Sequence, residues 1–447
     1  MEASINTKLK TTDYFIITAL LLLLIGMVYG IIGSIQYVYP GFVKNALSFE
    51  KIRPLHVSAV LFWILLAAMG SVLTYLHVYS NQVNKTSILL KIILVDFILT
   101  IVSILISYLF GQFGGREYWE FNPLFALPIL LGWILFIIHF FKTIPSLKNQ
   151  PVFVWMWLTG LLFFLFTFLE SYLWLFPYFR NNIINEMTIQ WKSYGSMVGA
   201  WNMLVYGCSL FLMGKMSGDK NYGYSRIAFI LYFTGLTNLM FNWGHHIYTL
   251  PTHPYIQHIS YLVSMTELFI FGKIIFDWKK TYLSAKQLIH HASYPFILAA
   301  DFWIFLSLIL AIAMSVPAIN LYTHGTHITV AHAMGTTIGI NSFLLIAFAI
   351  DIFTLDQITP IQKNKYFKYG FWITNISLLL FWISLIGAGI RKSIWQMSIH
   401  PMPFSSMMLS LKPFFIVFAL AGFSLLIGFI CIILPLLKHR LKTNTND

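Results

Sequence analysis

Charge is scarce in this sequence. Lys and Arg together number 28, and Asp and Glu only 15, in a chain of 447 residues. So few charged side chains cannot clothe a folded domain of this length in water, which excludes a soluble globular protein. Cysteine is scarcer still. Cys208 and Cys431 both fall inside apolar runs, so no disulfide framework is legible and the redox compartment is not marked. Segments of alternating apolar and polar residues are missing, which excludes an outer-membrane barrel. A polar, lysine-bearing tail precedes a full-length apolar run with no small-residue cleavage site, so no cleavable signal is expected. Nothing reads as a soluble domain, a low-complexity linker or an internal repeat.

What the sequence has instead is apolar length. Hydrophobic residues make up 58% of the chain. About twelve runs are long enough to cross roughly 30 Å of hydrocarbon as helices. They cover approximately 14–35, 55–79, 87–110, 123–142, 152–177, 193–214, 226–243, 256–277, 296–318, 326–353, 368–390 and 412–437. The expected fold is an all-α polytopic bundle forming one membrane domain over 1–447, with short tails at about 1–12 and 438–447.

The net charge of +13 is a topology signal and not a nucleic-acid footprint. Lys8, Lys10, Lys215, Lys220, Lys279, Lys280, Lys286, Lys363, Lys365, Lys368, Lys438, Arg440 and Lys442 all fall on one side of an even number of spans. Positive loops stay inside, so both termini are expected in the cytoplasm. The loops near 36–54, 111–122, 243–255 and 318–325 then face outward, and they carry the histidines, prolines and glycines. An aromatic content of 17% suits packing around planar cofactors, and a lipid-facing bundle accounts for it equally.

The organising stretch is Asn320–Asn341, with His324 and His327 at the mouth of an apolar helix and His332 and Met334 deeper. A ligand-type side chain inside a span is a functional-site hypothesis by default. Residues two apart on a helix point about 200° apart, so His332 and Met334 face opposite sides, as axial ligands of two different haems would. His56 opens the second run with Arg53 beside it. That pair reads as a haem ligand with a propionate partner, or as an interfacial histidine bonded to backbone. His245 and His246 end the seventh run, where both rings can reach one metal or form a polar turn. Glu267, inside the eighth run, is a candidate proton donor, or a structural bond between helices. Gly114-Gly-Arg-Glu-Tyr-Trp-Glu120 offers an arginine and two carboxylates to a divalent cation, though a solvated loop has the same composition.

Taken together and in this order, these motifs resemble subunit I of the haem–copper oxidase superfamily over essentially the whole chain. The wording is nearest the nitric oxide reductase large subunit, with the cbb3-type oxidases next. The likeness rests on Gln36-Tyr-Val, Gly115-Arg-Glu-Tyr118, Gly244-His-His-Ile-Tyr248, the position of Glu267 and Thr323-His-Gly-Thr-His-Ile-Thr-Val-Ala-His332. It implies haem b on His56 (low-spin) and on His332 (high-spin), with non-haem iron or copper at His245 and His246. It also implies a buried catalytic glutamate at Glu267, calcium at Glu117 with Arg116 beside it, and His324 and Arg53 near haem propionates. A respiratory enzyme of the bacterial inner membrane follows, reducing NO or O2. The chain lacks a Cys-x-x-Cys-His motif, so a c-type haem would belong to an electron-donor subunit.

Two departures from the family pattern stand out. The sixth span should bring another histidine and then a glutamate to the second metal, but the matching positions are Gly199 and Met203. Met334 stands where the second low-spin haem ligand is a histidine, and a thioether there would raise the reduction potential. Residues 237–243 contain no tyrosine of the kind an oxygen-reducing site would use, which favours the nitric oxide branch. The open alternative is a haem protein that has lost its second metal.

Overall fold

The computed structural model describes residues 9–82, 87–219, 221–266, 292–354 and 360–443. Among these the chain is helical, and its only bridge is the isolated pair Arg116–Trp119. The helices are α1 (Thr11–Val38), α2 (Phe49–Tyr79), α3 (Ile88–Leu109), α4 (Ala126–Thr143), α5 (Val152–Glu170), α6 (Pro177–Arg180), α7 (Ile183–Ser217) and α8 (Arg226–Phe241). A 3-10 turn, Asn242–Ile247, follows α8, and α9 is described over 254–266. Then come α10 (Tyr294–Ser315), α11 (Pro317–Thr323), α12 (His327–Met334), α13 (Phe343–Thr354), α14 (Lys365–Gln396) and α15 (Phe404–Thr443).

Among the described residues, ten helices are long and apolar enough to span a bilayer. Lipid offers no hydrogen-bond partners, so a chain of this composition must close its backbone bonds within each helix. The expected seventh span is a shorter element, a 16-residue helix continued by the 3-10 turn. Of the expected eighth span only 254–266 falls among the described residues. Glu267, Lys220, Lys279, Lys280 and Lys286 lie outside them.

The expected tenth span is one helix in three parts. Regular turns run to Met334, Gly335–Ser342 is π-helical, and regular turns resume at Phe343. Segments of π-helix occur chiefly at functional sites. This one packs closely on its neighbour: a Cβ on Gly335 would lie 2.4 Å from Ser307 Oγ, and one on Gly339 2.5 Å from the Trp303 ring. Side chains of α10 thus occupy the space that the two glycines leave.

The two ends of the bundle differ. At one end Arg440 Nη2 meets Asp13 Oδ2 at 2.6 Å with both groups buried, joining the start of α1 to the end of α15. At the same end Lys215 Nζ lies 3.1 Å from both Asp351 oxygens, and Tyr75 donates to Asp351 Oδ2 at 3.1 Å. Lysine and aspartate 136 positions apart share no sequence signature, which is why this cluster is not legible beforehand. All the candidate histidines lie toward the opposite end, except the His77–His139 pair described with the candidate site.

Asp13→Ala should destabilise the fold, because it removes the buried carboxylate that Arg440 meets. The paired exchange Asp13→Leu with Arg440→Met should cost much less. Thermal unfolding in detergent separates the two, and equal losses would refute the assignment.

Candidate haem site

His56 sits in the second turn of α2. Its Nδ1 lies 2.7 Å from the Gly26 carbonyl of α1, which can only accept, so Nδ1 carries the proton and Nε2 keeps its lone pair. That is the arrangement in which an imidazole serves as a metal ligand with its other nitrogen tethered. Gly30 makes room for the ring: a Cβ there would lie 2.9 Å from both Cε1 and Nδ1. Gly30→Ala should therefore turn the imidazole and weaken haem retention about 10–100-fold. Titrating the low-spin band against a competing apoprotein would measure it, and an unshifted affinity would count against His56 as ligand.

His332 lies in α12 beside the backbone of Ser307. Beside it, Ser307 Oγ, Trp303 Nε1 and Trp382 Nε1 are buried without a hydrogen-bond partner. These atoms cluster around the π-helical segment. Gly335 faces Ser307 Oγ and Trp382 Nε1, Gly339 faces Trp303, and the two indoles lie 6.1 Å apart. Buried polar atoms are almost always bonded, so these orphans single out the surroundings of His332 as the place where a further polar partner would be satisfied. His332 would hold a haem on one side of α12. Met334, half-buried, stands on the other side of the same regular helix. Haem bound at these positions supplies the electron-transfer and gas-binding chemistry; the chain supplies the imidazoles and their tethers.

His245 and His246 lie on the 3-10 turn after α8. His332 and His324 are near enough to act on both electrostatically, so these expected site residues gather in one region. His245 Nδ1 is 3.1 Å from Asn242 Oδ1, and Ser264 of α9 also donates to that oxygen. His246 lies parallel to Trp191 of α7, with centroids 4.9 Å apart and planes at 11°. Neither Trp191 nor Asn242 carries a signal in the sequence that would have placed it here. Opposite them on α7, Gly199 packs on Leu239 of α8: a Cβ at 199 would lie 3.0 Å from Leu239 Cα, Cβ and Cγ. The Met203 methyl lies 3.0 Å from a Cβ built on Gly235. Among the described residues, no group of three or more His, Cys, Asp or Glu is placed to hold a metal. His245 and His246 are thus not joined, among the described residues, by a third ligand of the kind a catalytic metal generally has.

The outward loop differs from its expected arrangement. Arg53 pairs with Glu117 at 2.8 Å and also with Glu120. Burial holds the Glu120 carboxyl above its usual range, with Arg53 pulling the other way. The Arg53 guanidinium thus bridges Glu120 and Glu117, the carboxylate to which the family likeness assigns calcium. Arg116 pairs with Glu186 at the start of α7, 2.6 Å away, and lies 4.0 Å over the Trp174 ring. His324 caps α11, and the His327 ring packs against Tyr37 and Phe415, which also contact each other. Toward the far end, His77 and His139 bring their Nε2 atoms within 3.0 Å, joining α2 to α4.

Residues 10–424 match the family described as Cytochrome C and Quinol oxidase polypeptide I. The chain belongs to this family. Among its relatives, a nitric oxide reductase subunit of Stutzerimonas stutzeri is 23% identical, over 96% of this chain and 95% of that one. The cbb3-type cytochrome c oxidase subunit CcoN1 of Stutzerimonas stutzeri is 21% identical, over 88% of this chain and 85% of the relative. Cytochrome c oxidase subunit 1 of Rhodobacter capsulatus is also 21% identical, over 83% of this chain and 74% of its own. A haem–copper terminal oxidase dimer solved by cryo-EM shares the fold, with a TM-score of 0.74 at 13% identity over 97% of this chain and 84% of that one. The named relatives are oxidoreductases, and this family member stands with them as a multi-pass membrane oxidoreductase whose family implies haem.

Proposed function

We propose that the chain is a haem oxidoreductase of the nitric oxide reductase branch, reducing NO to N2O at the haem held by His332. The observation that carries this reading is the set of orphaned polar atoms around His332, with His245 and His246 facing the same region. The near end-to-end match to the reductase relative supports the choice of NO. So does the absence of tyrosine from residues 237–243, which disfavours oxygen reduction. His56, with Met334, would hold the second haem. Electrons would come from a c-type cytochrome subunit on the outer face, and Glu267 would help deliver protons. The lysine-rich end of the bundle would face the cytoplasm of a bacterial inner membrane.

The decisive experiment supplies NO and a reductant to the purified protein, following NO loss electrochemically and N2O by gas chromatography. N2O formed in a ratio of one to two NO consumed supports the reading. A protein that binds NO spectroscopically without releasing N2O supports a second reading, an electron-transfer or gas-binding haem protein. The packed Gly199–Leu239 contact favours that alternative.

A further inference from the structure

We propose that this chain holds no non-haem metal, because packing has closed the third-ligand position and the two histidines have been recruited into an aromatic cluster. The inference rests on the haem reading above and holds whether or not that haem turns NO over.

Three separate contacts carry it. At Gly199 the obstruction is the Cα, Cβ and Cγ of Leu239, all 3.0 Å from a would-be Cβ. This is the root of a side chain on a packed helix and not the tip of a flexible one, so a side chain at 199 requires the two helices to move apart by a few tenths of an ångström. One turn further along α7, the buried Met203 is packed toward Gly235 of the same neighbouring helix. A thioether directed into a helix contact is filling space.

The third contact concerns the histidines themselves. Two imidazoles bound to one tetrahedral metal through nitrogens at about 2.0–2.1 Å have centroids roughly 5 Å apart. The His245 and His246 centroids are 4.1 Å apart with planes tilted by 41°. Trp191 lies nearly parallel to His246. His246 thus contacts both Trp191 and His245, and ring–ring contact stabilises the cluster. Asn242 tethers His245. A gas bound at the haem would face this cluster of neutral rings, where the two-metal relatives would present a second ion.

The test is metal analysis of protein purified from cells grown with ample iron and copper, with haem counted independently. All iron should be accounted for by haem, with copper and zinc at a small fraction of one per chain. The ferric high-spin haem should give its full paramagnetic resonance signal, since no second paramagnet couples to it. One iron or copper per chain beyond haem, with that signal suppressed, would overturn the proposal. Absence of any Soret band would instead sink the haem reading on which it rests.

Gly199→His combined with Leu239→Gly removes the Cβ and Cγ that crowd the position and should gain one metal per chain under the same growth conditions. A variant that keeps both haem spectra and gains none would refute Leu239 as the obstruction.

Discussion

Replacing His332 with alanine is expected to remove the high-spin haem and roughly halve the haem content of the chain, leaving the low-spin spectrum in place. The effect should be large because nothing nearby can substitute. His245 and His246 are engaged by Asn242 and Trp191, and His324 caps the end of another helix. Difference spectra with CO read the result directly, since only the high-spin haem has a free position for the gas. An unchanged CO spectrum would refute His332 as the ligand. Adding imidazole to the variant offers a further check, because a cavity left by the lost ring should restore part of the signal.

Exchanging Met334 for histidine should lower the midpoint potential of the other haem by a sizeable part of the about 0.8 V range that axial ligands span. Thioether sulfur favours ferrous iron, whereas imidazole stabilises the ferric state. The position suits the exchange: Met334 is the last regular residue of α12, half-buried, on the face away from His332. A potentiometric titration of the low-spin band gives the answer. An unmoved midpoint would mean that the sulfur never reaches iron and that the residue is core filling, like the partly buried apolar residues around it.

The features that could be read from the sequence were those that depend on local pattern. Apolar runs located the membrane helices, because the bilayer demands length and hydrophobicity whatever the tertiary structure. The opposed faces of His332 and Met334 followed from helical geometry alone. What could not be read depended on neighbours distant in the chain. Ser307 and Trp303 of α10 pack against Gly335 and Gly339 of the π-helical segment, a contact between residues distant in the chain. Gly199 was legible as a missing histidine, but not as a position sealed by Leu239 on the next helix. The pairing of Arg53 with Glu117 and Glu120 was likewise invisible, since an arginine near a haem edge and an arginine between two carboxylates look alike in one dimension.

The buried clasp between Asp13 and Arg440 has a consequence for how the protein is made. Its two residues are 427 positions apart, so it forms only when nearly all of the chain has been synthesised and inserted. Until then the Asp13 carboxylate has only Lys10 beside it and not the Arg440 guanidinium, and the groove on α1 that α15 will cover stays open to lipid. Completion of the bundle is therefore a late step in biogenesis. A nascent chain arrested before the last helix should be a substrate for membrane proteases, while the finished chain should not.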